Sequence, residues 1–356
     1  KMTPRLLSVL AVASLVAVAA AGYAVSQERS FQTVTVGSPV FAGFRETLND
    51  ATSIEMVHNA GQMRLVRKDG NWTMNESDGY PAEFKNIQKV LIGLSELVYV
   101  EAKTKNPELF EKLDLRDPSI KESRGRHITV LGVDDKPLID VILGKTRYNM
   151  PGSTRDGIYF RFPDQDQSWL AIGQLEASKS PADWLKTSII SVAGNTIKQA
   201  TFMHPDGEVV LVEKSSLEDI EFDLVGIPVG KKLKYKTDPK NMATVLEDLS
   251  LDNVRKSSHF DFSDEKTIKA SFVTFDGLTV SVQMIENIVP TAVEDEDDVS
   301  AYWAIFEATG EGSAALEKAK QITDQTQGWA FQLPAYKASR LNKHLKDIIQ
   351  DITAGS

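Results

Sequence analysis

Residues 58–68 read His-Asn-Ala-Gly-Gln-Met-Arg-Leu-Val-Arg-Lys, and residues 204–214 read His-Pro-Asp-Gly-Glu-Val-Val-Leu-Val-Glu-Lys. His, Gly, Leu, Val and Lys coincide at one offset of 146 residues. Both stretches alternate apolar and polar residues around a Gly-containing turn, the pattern of a β-hairpin. A fixed offset of this kind marks an internal duplication, which has to be recognised before single elements are assigned.

The elements that follow each hairpin agree in kind. Pro81 opens a predicted helix with Phe84, Ile87, Leu91, Leu94 and Val98 on one face. Pro239 opens another with Met242, Val245, Leu246 and Leu249. Spacings of three and four are helical, and proline suits a first turn. Strand pairs come next. Residues 128–131 turn at Asp134-Asp135 into Ile139, Val141 and Leu143, and residues 272–275 turn at Asp276-Gly277 into Val280, Val282 and Met284. Asp-Gly is a strong signal for a short hairpin. Further strands are predicted at 157–162 and 301–306, and each half closes with a tryptophan (Trp169, Trp329) and a helix, over 181–190 and 335–352. Tyr159 and Tyr302 lie 143 apart but Trp169 and Trp329 lie 160 apart, so the second half gains about 17 residues, read as an added helix near 311–327. The expected class is α+β: two tandem repeats of antiparallel sheet with helices packed on one face, preceded by one N-terminal transmembrane helix. The boundaries are 1–28 for an N-terminal membrane anchor or uncleaved signal, 29–49 for a linker and first strand, 50–194 for repeat 1 and 195–356 for repeat 2.

The N-terminal expectation rests on residues 6–25, twenty residues without a charge, preceded by Lys1 and Arg5. About 20 apolar residues suffice to cross a bilayer, and the leading positive charges place the N-terminus inside. A cleaved signal ending near Gly22-Tyr23-Ala24 is the rival reading. Either way residues 30–356 are expected on the periplasmic side of the inner (cytoplasmic) membrane. Ala17, Ala21 and Gly22 give the span a small-residue surface suited to packing against other helices.

Composition removes several classes. The chain has 356 residues, 40 Lys+Arg, 50 Asp+Glu and no cysteine, for a net charge of −10. Without cysteine there is no disulfide, no thiolate-held metal, no cysteine nucleophile and no thiol for a lipid. The acidic balance argues against binding nucleic acid. No catalytic signature is complete. Gly144-Lys145-Thr146 follows a strand, but a phosphate loop needs a glycine where Ile139 stands. The five histidines, His58, His127, His204, His259 and His344, show no ligand spacing, so no metal, cofactor or enzymatic activity is expected. The acidic run Glu294, Asp295, Glu296, Asp297 and Asp298 lacks the alternating ligands and central glycine of a calcium loop. It reads as a solvated loop, a contact for a basic partner or a weak divalent-ion site.

The order of features carries a resemblance. Gly70-Asn71-Trp72 is followed by Gly79-Tyr80-Pro81, then 110–115 with Asp117-Pro118, Leu143-Gly144, the Tyr159 strand, 181–185 with Trp184, and 329–349. This order, over residues 50–350, resembles the family called domain of unknown function 4340. The resemblance implies an extracytoplasmic partner of ABC exporters of the gliding-motility type, found beside an ATPase, a permease and a second large extracytoplasmic subunit. It brings no catalytic residue. The expected function is therefore a non-enzymatic, membrane-anchored subunit with a scaffolding or substrate-docking role. The alternatives are a free-standing envelope binding protein for a glycan or lipid, and a hydrolase with an unrecognised site.

Overall fold

The structure is a computed structural model that describes residues 36–263, 265–289 and 299–352. Helix α1 (Phe44–Thr47) precedes the hairpin of β1 (Ser53–His58) and β2 (Gly61–Lys68), then β3 (Asn71–Met74) and β4 (Tyr80–Pro81). Helix α2 (Phe84–Ser95) leads to β5 (Val98–Ala102), β6 (Arg126–Leu131), β7 (Pro137–Arg147), β8 (Gly157–Arg161) and β9 (Ser168–Ile172). The chain continues through β10 (Ser188–Ile190), β11 (Ile197–Met203), β12 (Val209–Glu213), β13 (Asp223–Leu224), β14 (Lys231–Leu233), α3 (Asp238–Ala243), β15 (Leu249–Ser250) and β16 (Asn253–Lys256). It ends with β17 (Ile268–Thr274), β18 (Leu278–Val289), β19 (Val299–Gly310), α4 (Ser313–Thr326), β20 (Trp329–Leu333), α5 (Ala335–Leu341), α6 (Leu345–Ile348) and β21 (Ile349–Asp351).

Two compact units result. The first holds residues 36–68 and 85–179, the second 69–84 and 180–352. In the first unit the strands run β2-β1-β6-β7-β8-β9-β5, each antiparallel to its neighbour. The second unit has an eight-stranded sheet in the order β13-β12-β11-β17-β18-β19-β20-β16. Apart from the short edge strand β13, the two orders correspond strand for strand. Alternation sets the faces: β17 is buried at every second residue, and Ile54, Met56, Ile128 and Val130 point inward from β1 and β6. Phe160 fills the first core. Phe202 and Phe272 meet edge to face in the second, 5.7 Å apart at 87°.

Register refines the 146-residue offset. Ile54 faces Leu65 and Val130, while Ala200 faces Val212 and Phe272. Ile54 and Ala200 are 146 apart, but Leu65 and Val212 are 147 apart. A slip of one residue turns every side chain to the other face. Leu65 therefore corresponds to buried Val212 and not to Leu211, and buried Lys214 has no counterpart in exposed Lys68.

The hairpin of β3 and β4 precedes α2 in sequence but belongs to the second unit. The Tyr80 ring stands edge-on to Trp329 at 5.0 Å and to Phe331 at 6.0 Å. Asp78 Oδ2 accepts the Lys256 amide at 2.8 Å, and the Glu83 amide donates to Trp184 O at 2.8 Å.

The α+β class with helices covering one face is corrected here. The fold is mostly antiparallel sheet, and its two longest described helices are α4 with 14 residues and α2 with 12. Pro81 lies in β4, opposite Thr73, and Phe84 at the start of α2 is 54% exposed. The segment 181–190 is a 3-10 turn (Pro181–Trp184) followed by strand β10. The closing helix over 335–352 is α5, a break, α6 and then strand β21. Apolar residues spaced three or four apart arise here from short elements placed in series. Buried Leu341 and Ile348 sit on different helices. No helix among the described residues is long and apolar enough to cross a membrane. Residues 6–25, which carried the expectation of a transmembrane helix, lie outside the described residues.

Candidate functional site

The residues singled out from sequence fall in different places. Ala17, Ala21 and Gly22 lie outside the described residues, as do Glu294, Asp295, Glu296, Asp297 and Asp298. Three histidines stand apart from one another. His127 Nε2 pairs with Asp140 Oδ1 across β6 and β7 at 2.5 Å. His259 Nε2 is 3.9 Å from Asp78 Oδ2. His58 Nδ1 accepts the Ala60 amide, and burial, helped by the charge of Lys179, lowers its pKa. His204 and His344, 140 positions apart in sequence, come together in the second unit.

The turn between β11 and β12 supplies the first half of this cluster. The His204 amide donates to Glu208 O at 2.9 Å, which places the two residues opposite each other. Pro205, Asp206 and Gly207 form the loop between them. The Gly207 amide donates to His204 O at 3.0 Å, and Asp206 Oδ1 accepts the Glu208 amide at 3.0 Å. Gly207 has φ +87°, a conformation open to glycine and costly for most other residues. In the first unit His58 faces Gly61 across a two-residue turn, Asn59-Ala60. The second turn is one residue longer and carries Glu208 where its counterpart carries glycine. The extra residue accounts for the change of offset from 146 to 147.

The second half comes from the start of α6. His344 is its N-cap, and the His344 amide donates to Asp347 Oδ2 at 3.0 Å. Glu208 reaches across to this end. Its Oε2 is 2.6 Å from His344 Nδ1, and its Oε1 accepts the Leu345 amide at 3.2 Å. The imidazoles of His204 and His344 stack with centroids 3.9 Å apart and planes 20° apart. Asp206 Oδ2 lies 3.8 Å from His344 Nδ1.

His204 is 5% exposed, and its ring is fixed by one bond, Nε2 to Lys343 O at 3.1 Å. A carbonyl only accepts, so the proton sits on Nε2 and Nδ1 keeps its lone pair. That Nδ1 is buried without a hydrogen-bond partner. Burial, followed by the neighbouring His344, lowers the His204 pKa. Lys343 is anchored in turn, with Nζ 2.6 Å from Oδ1 of Asp238, whose side chain is 6% exposed. The result is two imidazoles and a carboxylate brought together from two chain segments, the β11–β12 turn and the start of α6.

The family model for a domain of unknown function, DUF4340, matches residues 72–270, more than half of the chain. The chain belongs to this family. The DUF4340 match takes in the β3–β4 hairpin and the His204–Glu208 turn and stops short of His344. No curated protein and no solved structure matches the chain. Membership brings no chemistry with it, so any activity has to be argued from the residues.

The meeting of His204 with His344 had no local signal, since neither the Pro-Asp-Gly turn nor the helix cap specifies a partner 140 positions away. The one hint was the longer second turn, visible only once strand registers are known. A separate polar cleft of about 250 Å³ in the first unit is lined by Tyr148, Arg155, Asp156, Gln174 and Glu176 among others.

Proposed function

We propose that this chain is a non-enzymatic, extracytoplasmic subunit of an ABC-transporter-like complex, which docks a partner ectodomain or an exported substrate. The observation that carries the reading is the doubled platform: one chain with two sheet units of the same strand order, and hence two related surfaces for two neighbours. Tyr148 in the first unit and Tyr235 and Tyr336 in the second are 70%, 60% and 56% exposed, and aromatic residues are enriched where proteins meet. The uncharged stretch 6–25 behind Lys1 and Arg5 has the pattern of an export signal and supports a location across the membrane. The company of an ATPase and a permease is what the ordered motifs implied, and the family description names no partner. Deleting the chain from its native cell tests the reading. On native gels of the membranes, the ATPase and permease should then migrate as a smaller assembly. An unchanged assembly speaks against a structural role.

The cleft in the first unit favours a second reading, an envelope protein that binds a glycan. Its hydroxyl, guanidinium, amide and carboxylate groups suit a sugar, although its volume is below the usual range for a ligand pocket. Mass spectrometry of the mildly purified protein separates the readings, because only the second expects a bound sugar.

A further inference from the structure

His204, Glu208 and His344 place one potential ligand atom each within 4.8 Å of the other two. From this geometry we infer that the cluster is a binding site for a divalent transition metal of the zinc class. It joins the β11–β12 turn to the start of α6. The site is argued from these residues alone and does not depend on the docking role.

Three observations point to a metal and not to a buried polar network. First, His204 Nδ1 is buried, bears a lone pair and has no partner. A buried acceptor left unsatisfied is costly, and a metal ion is the ligand that would use it. Second, the opposite ring nitrogen donates to a backbone carbonyl at 3.1 Å. Metal-binding histidines almost always spend their other N–H on such a partner, which fixes ring and tautomer. Third, two imidazoles and one carboxylate are the donor set of open zinc sites, which leave a position for water. Calcium and magnesium prefer all-oxygen cages. Among its described residues the first unit has no such set, and its equivalent turn pairs His58 with Gly61.

The stacked rings define what binding has to change. An ion lies in the plane of each imidazole that holds it, so two rings stacked 3.9 Å apart cannot share one ion as they stand. His344 is the ring that turns. Its side chain is 25% exposed, whereas His204 is buried and tied to Lys343. Metal entry opens the stack, and Glu208 and His344 become ligands in place of hydrogen-bond partners. Asp206 is the next carboxylate, with Oδ2 3.8 Å from His344 Nδ1.

The test uses the full chain, stripped with a chelator and titrated with Zn²⁺ alone, with Mg²⁺ as the control. The expected result is one Zn²⁺ per chain, a raised melting temperature, and binding weakened at least about tenfold in both Glu208→Gln and His344→Gln. Both variants remove a ligand at a partly exposed position, and their melting without metal reports whether they fold. Cobalt substitution of the unmodified chain gives a readout that needs no variant, because Co²⁺ in a low-coordinate nitrogen and oxygen site absorbs visibly. Proton NMR should show the His204 and His344 ring signals moving as the stack opens. The inference is overturned if the chain takes up no Zn²⁺, if both variants bind as the unmodified chain does, or if Co²⁺ stays in its aqueous spectrum.

Discussion

Tyr80 holds a hairpin from early in the chain against the second unit, and it gives a prediction with a change of sign. Its side chain is 3% exposed, its ring meets Trp329 and Phe331 edge-on, and its hydroxyl donates to Lys186 O at 3.3 Å. Burial pushes the phenol up to about 12. Consider Tyr80→Phe, which keeps the ring and removes the hydroxyl. Near pH 8 the variant loses one long hydrogen bond, which costs about 1 kcal/mol or less. Above pH 10 the balance changes. The unfolded phenol ionises near 10 while the folded one keeps its proton to about 12. In that window the folded state binds more protons than the unfolded state, so raising the pH destabilises the fold. Two pKa units correspond to about 2.7 kcal/mol, all of it absent from the phenylalanine variant. The unmodified protein should be more stable at pH 8 and less stable at pH 12, with a crossing near pH 11. Urea unfolding of both proteins across this range, followed by tryptophan fluorescence, measures the difference, and lysine titration cancels between them. A difference that stays constant from pH 8 to pH 12 would refute the burial argument. Tyr80→Ala, which removes the ring as well, should cost about 3–5 kcal/mol at pH 8.

Two further substitutions probe other parts of the second unit. Gly310 ends β19 against the first turn of α4, and a Cβ there would run into the backbone of Ala315 and Leu316. Gly310→Ala should therefore cost at least about 2 kcal/mol in thermal or urea unfolding, whereas Gly312→Ala meets no atom within 4 Å and is limited to the strain of its φ of +86°. Asp276 accepts bonds from Lys318 and Thr274, which hold its pKa below the usual carboxylate value. A depressed pKa gives stability that is complete above the unfolded value of about 3.8 and is lost as the pH falls through the folded value. Asp276→Asn should be less stable at pH 7 by under about 1 kcal/mol, because the pair is half-exposed, and the gap should close in acid.

The hairpins were legible in sequence because their information is local. Residues 272–275, Asp276-Gly277 and Val280 alternate and turn as β17 and β18 do, with Gly277 at φ +89°. Helices were over-read because a spacing of three or four is not unique to helices. Residues 335–352 keep that spacing while the backbone passes from α5 through Asn342, Lys343 and His344 to α6 and β21. The same break puts His344 at a helix cap, where its ring reaches Glu208. Register was legible to within one residue, and that residue decided which side chains face inward and whether His204 has an acid opposite it. The candidate metal site was not legible, since it is made by packing segments that are neighbours only in the fold.

The docking role is the central claim, and its most direct test is recovery of the intact chain from its native membranes. The full protein, tagged at its C-terminus, is extracted in mild detergent and purified in one step. Its companions are then quantified by mass spectrometry against an untagged control. The account predicts an ATPase, a polytopic permease and a second large extracytoplasmic protein in fixed ratio to the tagged chain. A tagged chain recovered alone, with those proteins left in the unbound fraction, would contradict it.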